Sequence, residues 1–139
     1  MINPRQIGYN LGKMFCFPRK HNLGDSHDLN IRDYRSWQDM EVKLTKEYDA
    51  AVIIPLYLYD HSGITIATHT LGCQWDSSQV GYILATKSDV CKRFDSKYCT
   101  ERVKSLTRTF LEIEVDEYDY YLNNEDDEYD EPEDDLTGC

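Results

Sequence analysis

The 139-residue chain has no apolar run approaching the ~18 residues a membrane helix needs, and its N-terminus lacks the basic, then apolar, then small-residue layout of a secretory signal. A soluble intracellular protein is the expectation. No CxxC pair is present. Cys16, Cys73, Cys91, Cys99 and Cys139 are odd in number and widely spaced, which in a chain of this kind argues for reduced thiols rather than a disulfide framework. GxSxG, a glycine-rich phosphate loop ending in Lys, and HExxH are all missing, which removes the commonest hydrolase, nucleotidase and metalloprotease signatures. No internal repeat is visible, and after Arg108 there is no basic residue at all.

That last absence organises the charge. The net charge is −11, but 14 acids fall between Glu112 and Cys139, leaving 12 acids against all 15 bases in residues 1–111. A body of about +3 therefore carries an acidic end of −14, a polarised molecule rather than a uniformly acidic one.

The hydrophobic fraction of 40% and the 11 tyrosines are sufficient for a globular core. Residues 13–17 read as a possible strand. Residues 18–32, rich in Pro, Asn, Gly and Asp, read as a loop. Asp33 reads as an N-cap for a helix over 34–48, with Trp37, Met40, Leu44 and Tyr48 on one face. "AAVIIPLYLYD" (50–60) predicts a strand with Pro55 at an edge or bulge. "GITIATHTL" (63–71) and "VGYILAT" (80–86) complete a three-stranded antiparallel meander, the first two strands joined through Gly63. A short helix from Ser88 and a long one over 101–122, capped by Thr100, follow. On the long helix Val103, Leu106, Phe110 and Ile113 form one apolar line, and Leu111, Val115, Tyr118 and Leu122 a neighbouring one. The expected fold is α+β: a small antiparallel sheet of three to four strands packed by two main helices. It forms one domain over 1–122, with a flexible acidic tail over 123–139.

Two regions carry candidate chemistry. In the loops 59–63 and 72–79, Trp75 offers a stacking face while Asp60, His61, Ser62, Asp76, Ser78 and Gln79 offer directed hydrogen bonds; "NLGDSHD", with His27, can close over them. The bland alternative is that these polar residues cap turns and that His61 and Trp75 pack on the sheet. A catalytic pairing of Cys16 or Cys73 with His27 or His61, oriented by Asp25 or Asp76, requires a meeting in space. Zinc needs closer spacing than the sequence offers, since His61 and His69 on one strand would stand roughly 26 Å apart at ~3.3 Å per residue. No metal and no cofactor is therefore expected.

The second region is the acidic end, where Glu112, Glu114, Asp116, Glu117, Asp119, Asp126, Asp127 and Glu128 alternate with Tyr118, Tyr120, Tyr121 and Tyr129. Carboxylates so spaced can imitate a nucleic-acid backbone toward a basic partner, with tyrosines as anchors. Solvation of the chain, or folding back on the basic body, are the competing uses.

"NLGKMFCF", "HNLGDSHD", "IPLYLYDHSGIT" and "CQWDSSQVGYI", followed by "EYDYYL", resemble a family of small proteins encoded by bacteriophages and other mobile elements. The matching residues are Gly12, Cys16, Gly24, Asp25, His27, Asp60, His61, Ser62, Gly63, Trp75, Asp76, Ser77, Gln79 and Gly81. His21 and His69 fall outside the pattern, and Ser78 stands where the family tends to have Gly. The resemblance implies a phage protein acting in the cytoplasm of a bacterial host. Combined with the acidic end, it gives the expectation of a binding protein that inhibits a host nucleic-acid-handling defence system of the CRISPR or restriction type. The partner would be a host protein with a basic, nucleic-acid-binding surface; direct nucleic-acid binding and membrane binding are not expected. The alternative is a small-ligand binder or enzyme, acting on a nucleotide signal through the "DHSG" and "QWDSSQ" loops.

Overall fold

The computed structural model describes residues 2–18, 22–60, 63–70 and 77–124. Four strands, β1 (Lys13–Cys16), β2 (Ala50–Asp60), β3 (Ile64–Ala67) and β4 (Ser77–Thr86), form one antiparallel sheet in the order β1-β4-β2-β3. Three helices join them: α1 (Trp37–Tyr48), α2 (Lys87–Arg93) and α3 (Glu101–Asn124). The expected α+β class is thus what the chain adopts, and the strand predicted near 13–17 is the fourth of the sheet.

Alternation along the strands separates two cores. Val52, Ile54 and Leu56 of β2 join Ile83 and Ala85 of β4 beneath α3 and α2, with Val90, Val103, Leu111, Val115 and Tyr118. Phe15, Tyr82 and Leu84 turn to the other face and meet Met40 and Leu44 of α1. Each main helix therefore covers its own side of the sheet.

Several expectations need correcting. The strands do not form a meander: β4 crosses to the far side of β2, where it makes nine register pairs against the four that β3 makes. A ten-residue strand gains more ladder and more buried side chains along β2 than beside the four-residue β3. Because β3 spans only Tyr57 to Asp60, Pro55 keeps one side free of strand pairing, and a bulge lies next to it between Leu56 and Tyr57. Pro55 thus stands in an interior strand rather than at a sheet edge, in register with Tyr82, and the bulge falls beyond it rather than on it. At that bulge Val80 is the extra residue, which returns its side chain to the α3 face.

Helix α1 begins at Trp37, not at residue 34. Asn30 caps a short 3-10 turn (Ile31–Asp33), and Ser36 is the true cap, its hydroxyl accepting from the Asp39 N–H while Asp39 accepts from the Arg35 N–H. On α3 the second predicted line is the buried one, extended backward through Thr107, whose hydroxyl donates to the Val103 carbonyl. Leu106 and Ile113, from the first line, are 41% and 47% exposed.

Gly81 pairs with Cys16 of β1, and a Cβ there would fall on the Phe15 carbonyl. Replacement Gly81→Ala should separate β1 from β4 and abolish amide-exchange protection at Phe15 and Phe17, whose N–H groups face β4, whereas protection in β2 should survive. Unchanged protection in β1 would show that the close approach is not required.

Candidate functional site

Among the described residues is a dense polar constellation that sequence reasoning missed. Asn3 caps a 3-10 turn over Pro4–Gln6, which aims Arg5 inward until its side chain is only 2% exposed. The guanidinium grips Asp25 with two bonds, Nε to Oδ1 at 3.0 Å and Nη2 to Oδ2 at 2.9 Å. It donates through Nη1 to Glu114 at 3.1 Å and through Nη2 to the Gly12 carbonyl at 2.8 Å. Glu114 in turn accepts from the Leu11 and Gly12 N–H groups at 2.7 and 3.1 Å. Burial opposes the charge on Arg5, but the hydrogen bonds and charges of Asp25 and Glu114 outweigh it and hold the guanidinium above its ordinary pKa.

Glu114 is therefore not part of a partner-facing acidic surface, contrary to expectation. Its position carried a signal: at helical spacing from Leu111, Val115 and Tyr118 it lies on the core face. Arg5 carried none, because its partners stand 20 and 109 residues away.

Asp25 does a second task. Its N–H donates to the Met14 carbonyl at 2.9 Å while its Oδ2 accepts from the Met14 N–H at 2.8 Å, so a single residue pairs with the outer edge of β1 as a strand would. Two residues on, His27 Nε2 donates to the Cys16 carbonyl at 2.9 Å and Nδ1 accepts from the Leu29 N–H at 3.1 Å, an arrangement that fixes the neutral tautomer. The ring packs against Phe15 and Phe17. The "NLGDSHD" segment thus seals an exposed strand edge. Gly24 permits this with φ +79° and lies so near Cys16 that a Cβ would come 2.9 Å from its sulfur; its N–H donates to the Tyr118 hydroxyl.

His27 is consequently committed to structure, and it contacts the carbonyl of Cys16 rather than the thiol. Burial, reinforced by the Asp25 charge, pushes the Cys16 thiol up to about 12. A Cys16–His27 nucleophile pair is excluded by this geometry.

The two sheet loops do leave the same end of the sheet, since Asp60 pairs with Ile64 and Tyr59 with Ser77. Asp60 closes β2, and Gln79 lies within β4, its amide donating to the Gly81 carbonyl at 3.3 Å. His61, Ser62, Trp75 and Asp76 lie outside the described residues, as do Asp126, Asp127 and Glu128 of the acidic end. Among the described residues no group of three His, Cys, Asp or Glu side chains is placed to hold a metal ion. None of their helices is long and apolar enough to cross a membrane.

The acids of α3 from Glu112 onward divide into two sets. Asp119 turns toward the sheet and accepts from the Ile66 N–H at 3.0 Å, so it is a half-buried partner of β3 rather than a free surface charge. Burial raises its pKa against the opposing effect of that bond. Glu112, Asp116 and Glu117 point outward, and no cation among the described residues forms an ion pair with them. Beside them runs a shallow groove of about 630 Å³, lined by Ile2, Pro4, Ile7, Ile113, Tyr120 and Tyr121, with Asp116 and Glu117 at its margin.

Comparison with protein-family models, with curated proteins and with solved structures finds no match.

Two outcomes follow from the buried cluster. Arg5→Ala leaves the buried Glu114 and the half-buried Asp25 without their cation and should cost roughly 3–5 kcal/mol in urea unfolding; a loss below about 1 kcal/mol would contradict its structural role. In the folded protein at neutral pH, iodoacetamide should spare Cys16 and reach it only after denaturation, as peptide mass mapping would show.

Proposed function

We propose that the protein acts by binding, through the outward acidic face of α3, to the basic nucleic-acid-binding surface of a host protein. The observation that carries this is the sorting of charge on one helix. Glu114 and Asp119 are spent on internal donors, while Glu112, Asp116 and Glu117 remain uncompensated in a stretch with no basic residue. Those three charges fall within about 8 Å of helix axis at 1.5 Å per residue, a density comparable to one phosphate per ~3.4 Å of a nucleic-acid strand. A basic cleft meeting this face would release counterions much as it does on nucleic acid.

With the phage resemblance of the sequence, the reading becomes a counter-defence protein. In the host cytoplasm it competes with nucleic acid for a CRISPR effector or restriction enzyme. The small-ligand alternative gains no support from His27, which is committed to the β1 edge.

The test is inhibition of DNA cleavage by CRISPR effectors and restriction enzymes of the host, with the chain added in excess. Inhibition should weaken steeply between about 50 and 300 mM salt. The combined variant Glu112→Gln, Asp116→Asn, Glu117→Gln should lose it while keeping its circular dichroism. Truncation must fall after Asn124, because cutting after Leu111 removes Glu114, Val115 and Tyr118 from the core. The chain cut after Asn124 should keep its inhibition, and full inhibition by the triple variant, or no inhibition of any nuclease, overturns the reading.

A further inference from the structure

We infer that the groove between the Pro4–Gln6 turn and the second half of α3 is a docking site for a basic amphipathic segment of the partner, one apolar or aromatic anchor flanked by Lys or Arg. This rests on the proposed binding role of the α3 face and specifies what that face recognises.

The helix places the two kinds of group side by side. Ile113 and Tyr120 are seven residues apart and lie on one line, while Asp116 and Glu117 flank that line to either side. Ile113 is 47% and Tyr120 63% exposed; across the groove Ile2 is 76% and Ile7 43% exposed. Unlike exposed apolar residues scattered singly, these four line one groove, the arrangement a binding surface needs. Tyr121, stacked on the buried Tyr118 ring, gives the floor a rigid support. The Pro4–Gln6 turn that forms the opposite wall is fixed by Arg5, whose charge is consumed by Asp25 and Glu114 and so does not offset the acidic margin.

Charge complementarity selects the occupant. A second copy of the chain would bring two acidic margins together in a molecule already at −11, and the chain's own acidic residues 125–139 would be repelled in the same way. A purely cationic segment would leave the groove unfilled, and a purely apolar one would leave Asp116 and Glu117 without partners. A segment carrying both features satisfies both, with the buried anchor supplying most of the affinity and the cations its orientation.

The experiment titrates the full chain with two synthetic peptides of equal charge, one of lysine and glycine only and one in which a Trp and a Leu replace two glycines at helical spacing. Fluorescence anisotropy at fixed salt reads the affinity. The amphipathic peptide should bind roughly tenfold or more tightly, and Ile113→Ser or Tyr120→Ser should remove that advantage. Those variants should leave the weak binding of the lysine peptide unchanged, which also shows that they remain folded. Equal binding of both peptides, insensitive to Ile113→Ser and Tyr120→Ser, overturns the groove while leaving the acidic-face reading intact. Binding of neither peptide overturns both. Concentration-dependent dimerisation abolished by Tyr120→Ser in sedimentation overturns the inference in favour of a second copy.

Discussion

The buried guanidinium of Arg5 is the point on which the rest of the structure depends. It joins three segments remote in sequence: the turn at Pro4–Gln6, the loop that seals β1, and the middle of α3. Burying a cation in this way is favourable only when its partners are fixed and their remaining lone pairs are used. Here Asp25 also serves Met14, and Glu114 also serves Leu11 and Gly12. The cluster contributes specificity as much as energy, since each member holds another element in one place.

Carboxylates are used with the same logic at both edges of the sheet. Asp25 answers the outer N–H of Met14 on β1, and Asp119 answers that of Ile66 on β3. An open strand edge invites pairing with other chains, and a charged acceptor satisfies the donor while discouraging such pairing. Part of the apparent acidity of α3 is therefore structural. What remains outward, Glu112, Asp116 and Glu117 beside the Ile113–Tyr120 line, is smaller than the sequence suggests but carries apolar contact surface next to the charge. That combination suits a binding surface better than charge alone, which is screened by salt and carries little specificity.

The sealing loop also changes how "HNLGDSHD" is understood. Gly24, Asp25 and His27 have the residue types of a reactive site, yet each is explained by the closeness of the loop to β1: Gly24 by its φ and by the sulfur beside it, Asp25 by strand mimicry and Arg5, His27 by the Cys16 carbonyl. The burial of the Cys16 thiol, which raises its pKa, agrees with this role.

Local patterns were enough to determine the elements. β-branched and aromatic runs in residues 50–60 and 80–86 marked β2 and β4, alternation marked β3, and spacing of three and four marked α1 and α3. These rest on interactions within a few residues, which the order of amino acids states directly. The pairing of β4 with β2 instead of β3, the choice of which apolar line on α3 is buried, and the roles of Arg5, Asp25, His27 and Glu114 were decided only by tertiary structure. They depend on contacts between residues as far as 109 positions apart, and a chain pattern does not record which distant partner a charge will meet. Glu114 stands at the boundary: its place on the core face was legible from helical spacing, but the cation that makes its burial tolerable came from the other end of the chain.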